Sequence, residues 1–218
     1  ENLMGIRRRK GTIQKGKKPL LINNLKIIID VIDKELIPDL KKLRNKALLL
    51  LGFSGGFRRK ELVSLNIEDT EFVFEGLKIT LKKSKTDQFG EGFAKGIPHF
   101  ENSIYCPVTS LKRWINLSKI KKGPIFVRFT KGSKITNTRL TDQSVALIIK
   151  EYLLKAGIDN KNYSGHSLRS GFATSAAEAG AEERSIMAIT GHKSTEMVRR
   201  YIKEANLFKN NALNKIKF

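Results

Sequence analysis

The chain has 218 residues, 40% of them hydrophobic, and carries 42 Lys+Arg against 21 Asp+Glu, a net charge of +21. This suits a substantial core in one domain, or one domain plus an arm. It excludes a membrane span, because the longest apolar run, "ALLLLGF" at 47–53, falls far short of the roughly 18 residues required.

The stretch 5–19 is rich in Lys, Arg and Gly and ends at Pro19, so it reads as a basic arm or linker. It lacks the apolar segment of a signal peptide. The first residue is Glu rather than Met, so the chain is expected to be a piece of a longer one. Residues 20–32 show helical spacing, and 39–56 form a strong helix, buried towards its end and stopped by Ser54-Gly55-Gly56. Helical period resumes over 57–65, and the alternating, Gly-punctuated 72–100 predicts two or three antiparallel strands. The lone Cys106 rules out an internal disulfide and suits a reducing compartment. Further helices are predicted over 108–120, 141–158 (with Thr141 as cap) and 164–180. The last of these is rich in small residues and closes at Gly180. Shorter helices follow over 182–191, 194–205 and 210–218. The expected fold class is α+β, mainly α-helical with a small antiparallel β-sheet.

The cationic surplus gives a positive field that favours polyanions. Four stretches carry chemistry. In "HSLR", His166 and Arg169 share a helix face near its N-terminus, where backbone N–H groups favour an anion. In "GGFRRKEL", Arg58 follows a Gly-Gly turn and can grip two phosphate oxygens, with Glu61 three residues on to orient a neighbour. In "KKSKTDQFGEG", a lysine at a hairpin turn can reach into a cleft and donate a proton. In "GHKSTEMVRRY", His192 follows a helix end and Tyr201 sits nine residues later, a phenol that needs nearby cations to act as a nucleophile. Taken one at a time, each also reads as ordinary solvated or core residues.

Together these positions resemble the tyrosine recombinase (phage integrase) family: an Arg in a "TGLR-x-x-EL"-like segment, a hairpin Lys, H-x-x-R, G-H, then Tyr nine residues on. They fall on Arg58, Lys85, His166 with Arg169, Gly191 with His192, and Tyr201, with Gly55 and Phe57 departing from the usual Thr and Leu. The resemblance covers about 20–218. It implies the catalytic fold of DNA breaking-rejoining enzymes and a site-specific DNA recombinase working through a 3′-phosphotyrosyl intermediate. In that chemistry Arg58 and Arg169 clamp the phosphate, Tyr201 attacks, His166 accepts its proton, Lys85 protonates the leaving 5′ oxygen and His192 bonds a phosphate oxygen. No Asp/Glu/His cluster suggests a metal pair, so neither metal nor cofactor is expected, nor ATP.

The resemblance also divides the chain into a basic interdomain linker (1–19), a catalytic domain (20–205) and a tail helix (206–218) that docks on its own domain or a neighbouring subunit. The resemblance further implies an N-terminal core-binding domain, which family members usually carry and which is expected to lie outside these 218 residues. Double-stranded DNA is the expected partner, in a homotetramer on DNA with the isolated domain able to be a monomer, in the bacterial cytoplasm with the nucleoid. Candidate DNA contacts are Arg7, Arg8, Arg9, Lys17, Lys18, Arg59, Lys60, Lys83 and Lys193. Two alternatives remain: a type IB topoisomerase-like enzyme and a non-catalytic basic DNA-binding fragment.

Overall fold

The computed structural model describes residues 17–81, 93–192, 194–205 and 212–216. Helix α1 (Ile22–Lys34) turns Leu25, Ile28, Ile29 and Ile32 inward, a spacing that forms one apolar stripe. Helix α2 (Asp39–Ser54) is different: Ala47 through Phe53 are all buried. A helix apolar on every side must be central, and α1, α4 (Pro107–Ser118), α5 (Asp142–Lys155) and α6 (Ser167–Glu178) all pack on it. Each Leu or Ile so buried contributes about 1.5–3 kcal/mol of gross transfer free energy.

The short α3 (Arg59–Ser64) follows α2 after a tight turn, then a 3-10 turn (Ile67–Asp69) leads into the sheet. Strands β1 (Thr70–Val73), β2 (Gly76–Leu81) and β3 (Phe93–Pro98) pair antiparallel in the order β1-β2-β3. Leu77 faces Ile97, Ile79 faces Lys95 and Leu81 faces Phe93. Alternate β3 residues point inward, so Lys95 and Ile97 are buried while Ala94 and Gly96 are exposed.

Helix α4 opens with Pro107, whose missing N–H costs nothing at that position, and Cys106 Sγ accepts from Thr109 N as its cap. The chain then forms a second antiparallel pair, β4 (Val127–Phe129) with β5 (Ile135–Arg139). This hairpin is absent from the sequence-based expectation. Two arginines pin it to the core: Arg44 donates to Val127 O at 3.1 Å, and Arg139 donates to Val63 O at 2.6 Å. Thr141 caps α5 as expected, accepting from Ser144 N.

Helices α6, α7 (Glu183–Thr190) and α8 (Thr195–Ala205) pack together around a small satellite core of Ala173, Ala177, Ile186 and Val198. The small residues of α6 have a steric reason. A Cβ at Gly171 would lie 1.9 Å from Leu20 O, so only glycine lets the chain cross the helix there. That crossing fixes Leu20, which is fully buried and donates its N–H to Ser167 O at 2.9 Å. The segment just before it is also tied down, Lys18 N bonding Asn162 O at 2.8 Å. A 3-10 turn (Ala212–Lys215) is the one element described beyond α8, where a short helix over 210–218 is expected from sequence.

Candidate active site

Arg58 does not lie inside a helix but caps α3 with extended backbone, φ −68° and ψ 144°. Its position is set by Glu61, which accepts from the Arg58 backbone N at 2.9 Å and from Nη1 at 2.5 Å. Glu61 is nearly buried, whereas the Arg58 side chain keeps 29% of its surface open. One face of the guanidinium is therefore held and the rest looks into an open cleft of about 740 Å³ lined also by Lys60, Ser64, Ser164 and His166.

His166 stands immediately before α6, and Arg169 lies one turn inside it. The His166 ring faces the cleft, but partial desolvation and the nearby charges of Arg169 and Arg58 push its pKa below the usual value. Arg169 is almost completely buried. Its Nη1 donates to Gly56 O at 2.8 Å and to Thr190 O. Its Nη2 is buried with no hydrogen-bond partner among the described residues. An unsatisfied buried donor on a charged group is costly, and an anionic oxygen is the group that relieves it.

Gly191 ends α7 in the left-handed region at φ +64°, as its place after "MAIT" predicts, and the reversal is followed by His192, which lies near Arg169, Arg58 and His166. The ring is buried, with Nδ1 2.8 Å from Thr190 Oγ1. That hydroxyl gives its single hydrogen to Ile186 O at 2.7 Å, so Nδ1 is the donor of the pair and Nε2 carries the lone pair. Burial first, then the charges of Arg169, Arg58, His166 and Lys95, push the His192 pKa down to about 4. The ring is neutral at neutral pH.

Tyr201 projects from α8, half-buried against the satellite core. Its ring centroid is 6.2 Å from that of His192, inclined at 33°. It is also close enough to Arg169 to favour the arginine's charged form. The nine-residue spacing thus spans one reversal and two helical turns and brings the two rings to one place. Arg58, His166, Arg169, His192 and Tyr201 surround a single site.

The remaining sequence-selected positions are distributed differently. Lys83 and Lys85, which fall between β2 and β3 in sequence, Lys193, and Arg7, Arg8 and Arg9 lie outside the described residues. Lys60 is exposed at the cleft. Arg59 pairs through Nε with Asp142 at 3.1 Å. Lys17 and Lys18 are exposed, and Lys17 Nζ donates to Lys161 O at 3.2 Å.

One charged group at the site escapes the sequence reading. Lys95 of β3 is 2% exposed and donates to Gly55 O at 2.8 Å and to Ile189 O. Phe57 and Phe93 cover it, with ring centroids 4.9 and 5.2 Å from Nζ. Burial pushes its pKa down to about 8; Glu61 opposes the shift, while Arg169 and Arg58 add to it. The signal was available: in the alternation Phe93, Lys95, Ile97, a lysine occupies an inward position.

Known proteins share this sequence and architecture. The chain is 46% identical over 214 residues to an integrase/recombinase XerD homolog of Selenomonas ruminantium, covering 98% of this chain and 62% of that one. It is 32% identical over 165 residues to tyrosine recombinase XerC of Syntrophus aciditrophicus, covering 75% and 50%. The chain thus spans half to under two-thirds of the length of these relatives. Among solved structures, XerH site-specific recombinase bound to a palindromic difH substrate after cleavage superposes with a TM-score of 0.70 at 19% identity, over 93% of this chain and 56% of that one. XerA recombinase superposes with a TM-score of 0.67 at 21% identity, over 97% and 69%. Residues 20–207 match the phage integrase family, and with the fold shared as well, the chain belongs to that family of tyrosine recombinases.

Proposed function

We propose that the chain is the catalytic part of a site-specific DNA recombinase that cuts and rejoins strands through a phosphotyrosyl link. The observation that carries this reading is the mutual proximity of two arginines, two histidines and one tyrosine, with an unsatisfied Arg169 donor among them. The difH-bound XerH complexes, before and after cleavage, support it by likeness of fold.

In this reading Arg58 and Arg169 neutralise the non-bridging oxygens of one phosphodiester. Both are preorganised, Arg58 by Glu61 and Arg169 by two carbonyls, so little reorganisation accompanies charge development. The Tyr201 oxygen attacks phosphorus and passes its proton to His166, whose pKa is lowered by desolvation and then by its cationic neighbours, so that the ring is able to accept. The 5′ oxygen departs with a proton from Lys85. His192 begins neutral with a bare Nε2. The entering phosphate raises its pKa, and the protonated ring donates from Nε2 to a phosphate oxygen. The covalent bond conserves the energy of the broken one, so a 5′-hydroxyl from another strand reverses the step. Partners are duplex DNA and, on it, further copies of the chain up to a tetramer. No helix among the described residues is long and apolar enough to cross a membrane; we place the protein with the nucleoid in the cytoplasm.

The test is incubation with nicked suicide duplexes drawn from the DNA flanking the gene, followed by a denaturing gel. A retarded band supports the reading, and its absence across these substrates sinks it. Relaxation of a supercoiled plasmid without exchange between paired sites would assign topoisomerase-like activity instead.

A further inference from the structure

A turn and a helix end lead into the phosphate-facing groups: Gly55–Gly56, which precedes Arg58, and Ile189–Thr190 at the end of α7, which precedes His192. They are far apart in the chain, with 132 residues lying between Gly56 and Ile189. Two buried cations bridge them on consecutive residues. Arg169 donates to Gly56 O and Thr190 O, and Lys95 to Gly55 O and Ile189 O. The lysine enters from β3, on the sheet side, while the arginine enters from α6.

We propose that Lys95 is a positioning residue: its ammonium ties the turn that leads into Arg58 to the helix end that leads into His192. The proposal rests on the recombinase reading of this site. Lys95 itself is walled off from the cleft by burial and by Phe57 and Phe93, so it touches no DNA. Placing a third cation beside Arg58 and Arg169 is electrostatically unfavourable in the free protein. An uncharged donor would bridge the carbonyls with less penalty. The lysine adds positive potential behind the phosphate position, so part of that unfavourable energy is relieved when the phosphate binds. Its function is thus geometry and field, distinct from the proton donation assigned to Lys85.

Lys95→Met keeps the length and apolar stem but removes donors and charge. The proposal expects a folded variant by far-UV circular dichroism whose affinity for the suicide duplex stays within about threefold, while single-turnover adduct formation slows by about 30-fold or more. A substrate whose leaving oxygen is replaced by sulfur needs no proton donor. It should restore Lys85→Ala but leave Lys95→Met slow. The proposal is overturned by wild-type cleavage by Lys95→Met, by loss of affinity in proportion to loss of rate, by rescue by the sulfur leaving group, or by a chain that does not fold. A wild-type chain that forms no adduct sinks the recombinase reading instead. The tie is then decided by hydrogen exchange, which must quicken at 55–57 and 189–192 in Lys95→Met and overturns the proposal if unchanged.

Discussion

Glu61 holds Arg58 at two points, its carboxylate taking hydrogen bonds from the backbone N at 2.9 Å and from Nη1 at 2.5 Å. The carboxylate is only 8% exposed, so its loss leaves Arg58 unsupported and its N–H without a partner. Glu61→Ala should lower unfolding free energy by about 2 kcal/mol in urea titration. It should also slow cleavage more than it weakens DNA binding, since the arginine remains but is no longer aimed. Unchanged stability and cleavage would show that the pair does not set Arg58.

His192 predicts an acid limb in stability. Its folded pKa is about 4 against an ordinary 6.5. Between those values the unfolded chain holds the proton and the folded chain does not, so acidification favours unfolding. The loss begins as pH falls through 6.5 and reaches about 3 kcal/mol near pH 4. His192→Asn should remove that part of the pH dependence measured by denaturant titration. A wild-type and variant difference that stays constant from pH 7 to 4 would contradict the burial argument. Long-range proton–nitrogen correlation spectra of the free protein at pH 6 should find the hydrogen of this ring on Nδ1.

Gly171 tests the crossing of α6 by the chain at Leu20. An added Cβ would sit 1.9 Å from a backbone oxygen, which cannot move without displacing Leu20 from the core. Gly171→Ala should lower stability by about 2–3 kcal/mol. A thermal melt within one degree of wild type would show that the crossing yields freely.

DNA affinity should fall steeply with salt, by about 0.9 log units per log salt for each phosphate neutralised. Lys60, exposed at the cleft, should contribute one such contact. Fluorescence anisotropy of Lys60→Ala should show a slope reduced by about one unit. An unaltered slope would remove Lys60 from the interface.

The helices and the site were legible for one reason: their residues follow local periodicity or fixed spacing. The stripe of α1, the caps at Thr141 and Gly191, and the nine-residue interval from His192 to Tyr201 all depend on neighbours along the chain. The β4–β5 hairpin is not legible, because its residues are mostly part-exposed and the residues that anchor it, Arg44 to Val127 O and Val63 O to Arg139, are distant in sequence. The helical period over 57–65 places Arg58 inside a helix, whereas the structure makes it the cap because Glu61 closes a capping box there. The tautomer of His192 depends on where Thr190 spends its proton, which no spacing reveals. Lys95 is not singled out by any motif spacing; only its inward place in the alternation Phe93, Lys95, Ile97 marks it as buried.

The most direct measurement of the central claim is the chemistry of the adduct itself. After reaction with a suicide duplex, nuclease and protease digestion and mass spectrometry should find a nucleotide joined through phosphate to the peptide containing Tyr201. Tyr201→Phe should give no adduct while still binding the duplex. A nucleotide attached to any other residue, or an adduct that persists in Tyr201→Phe, would contradict the account.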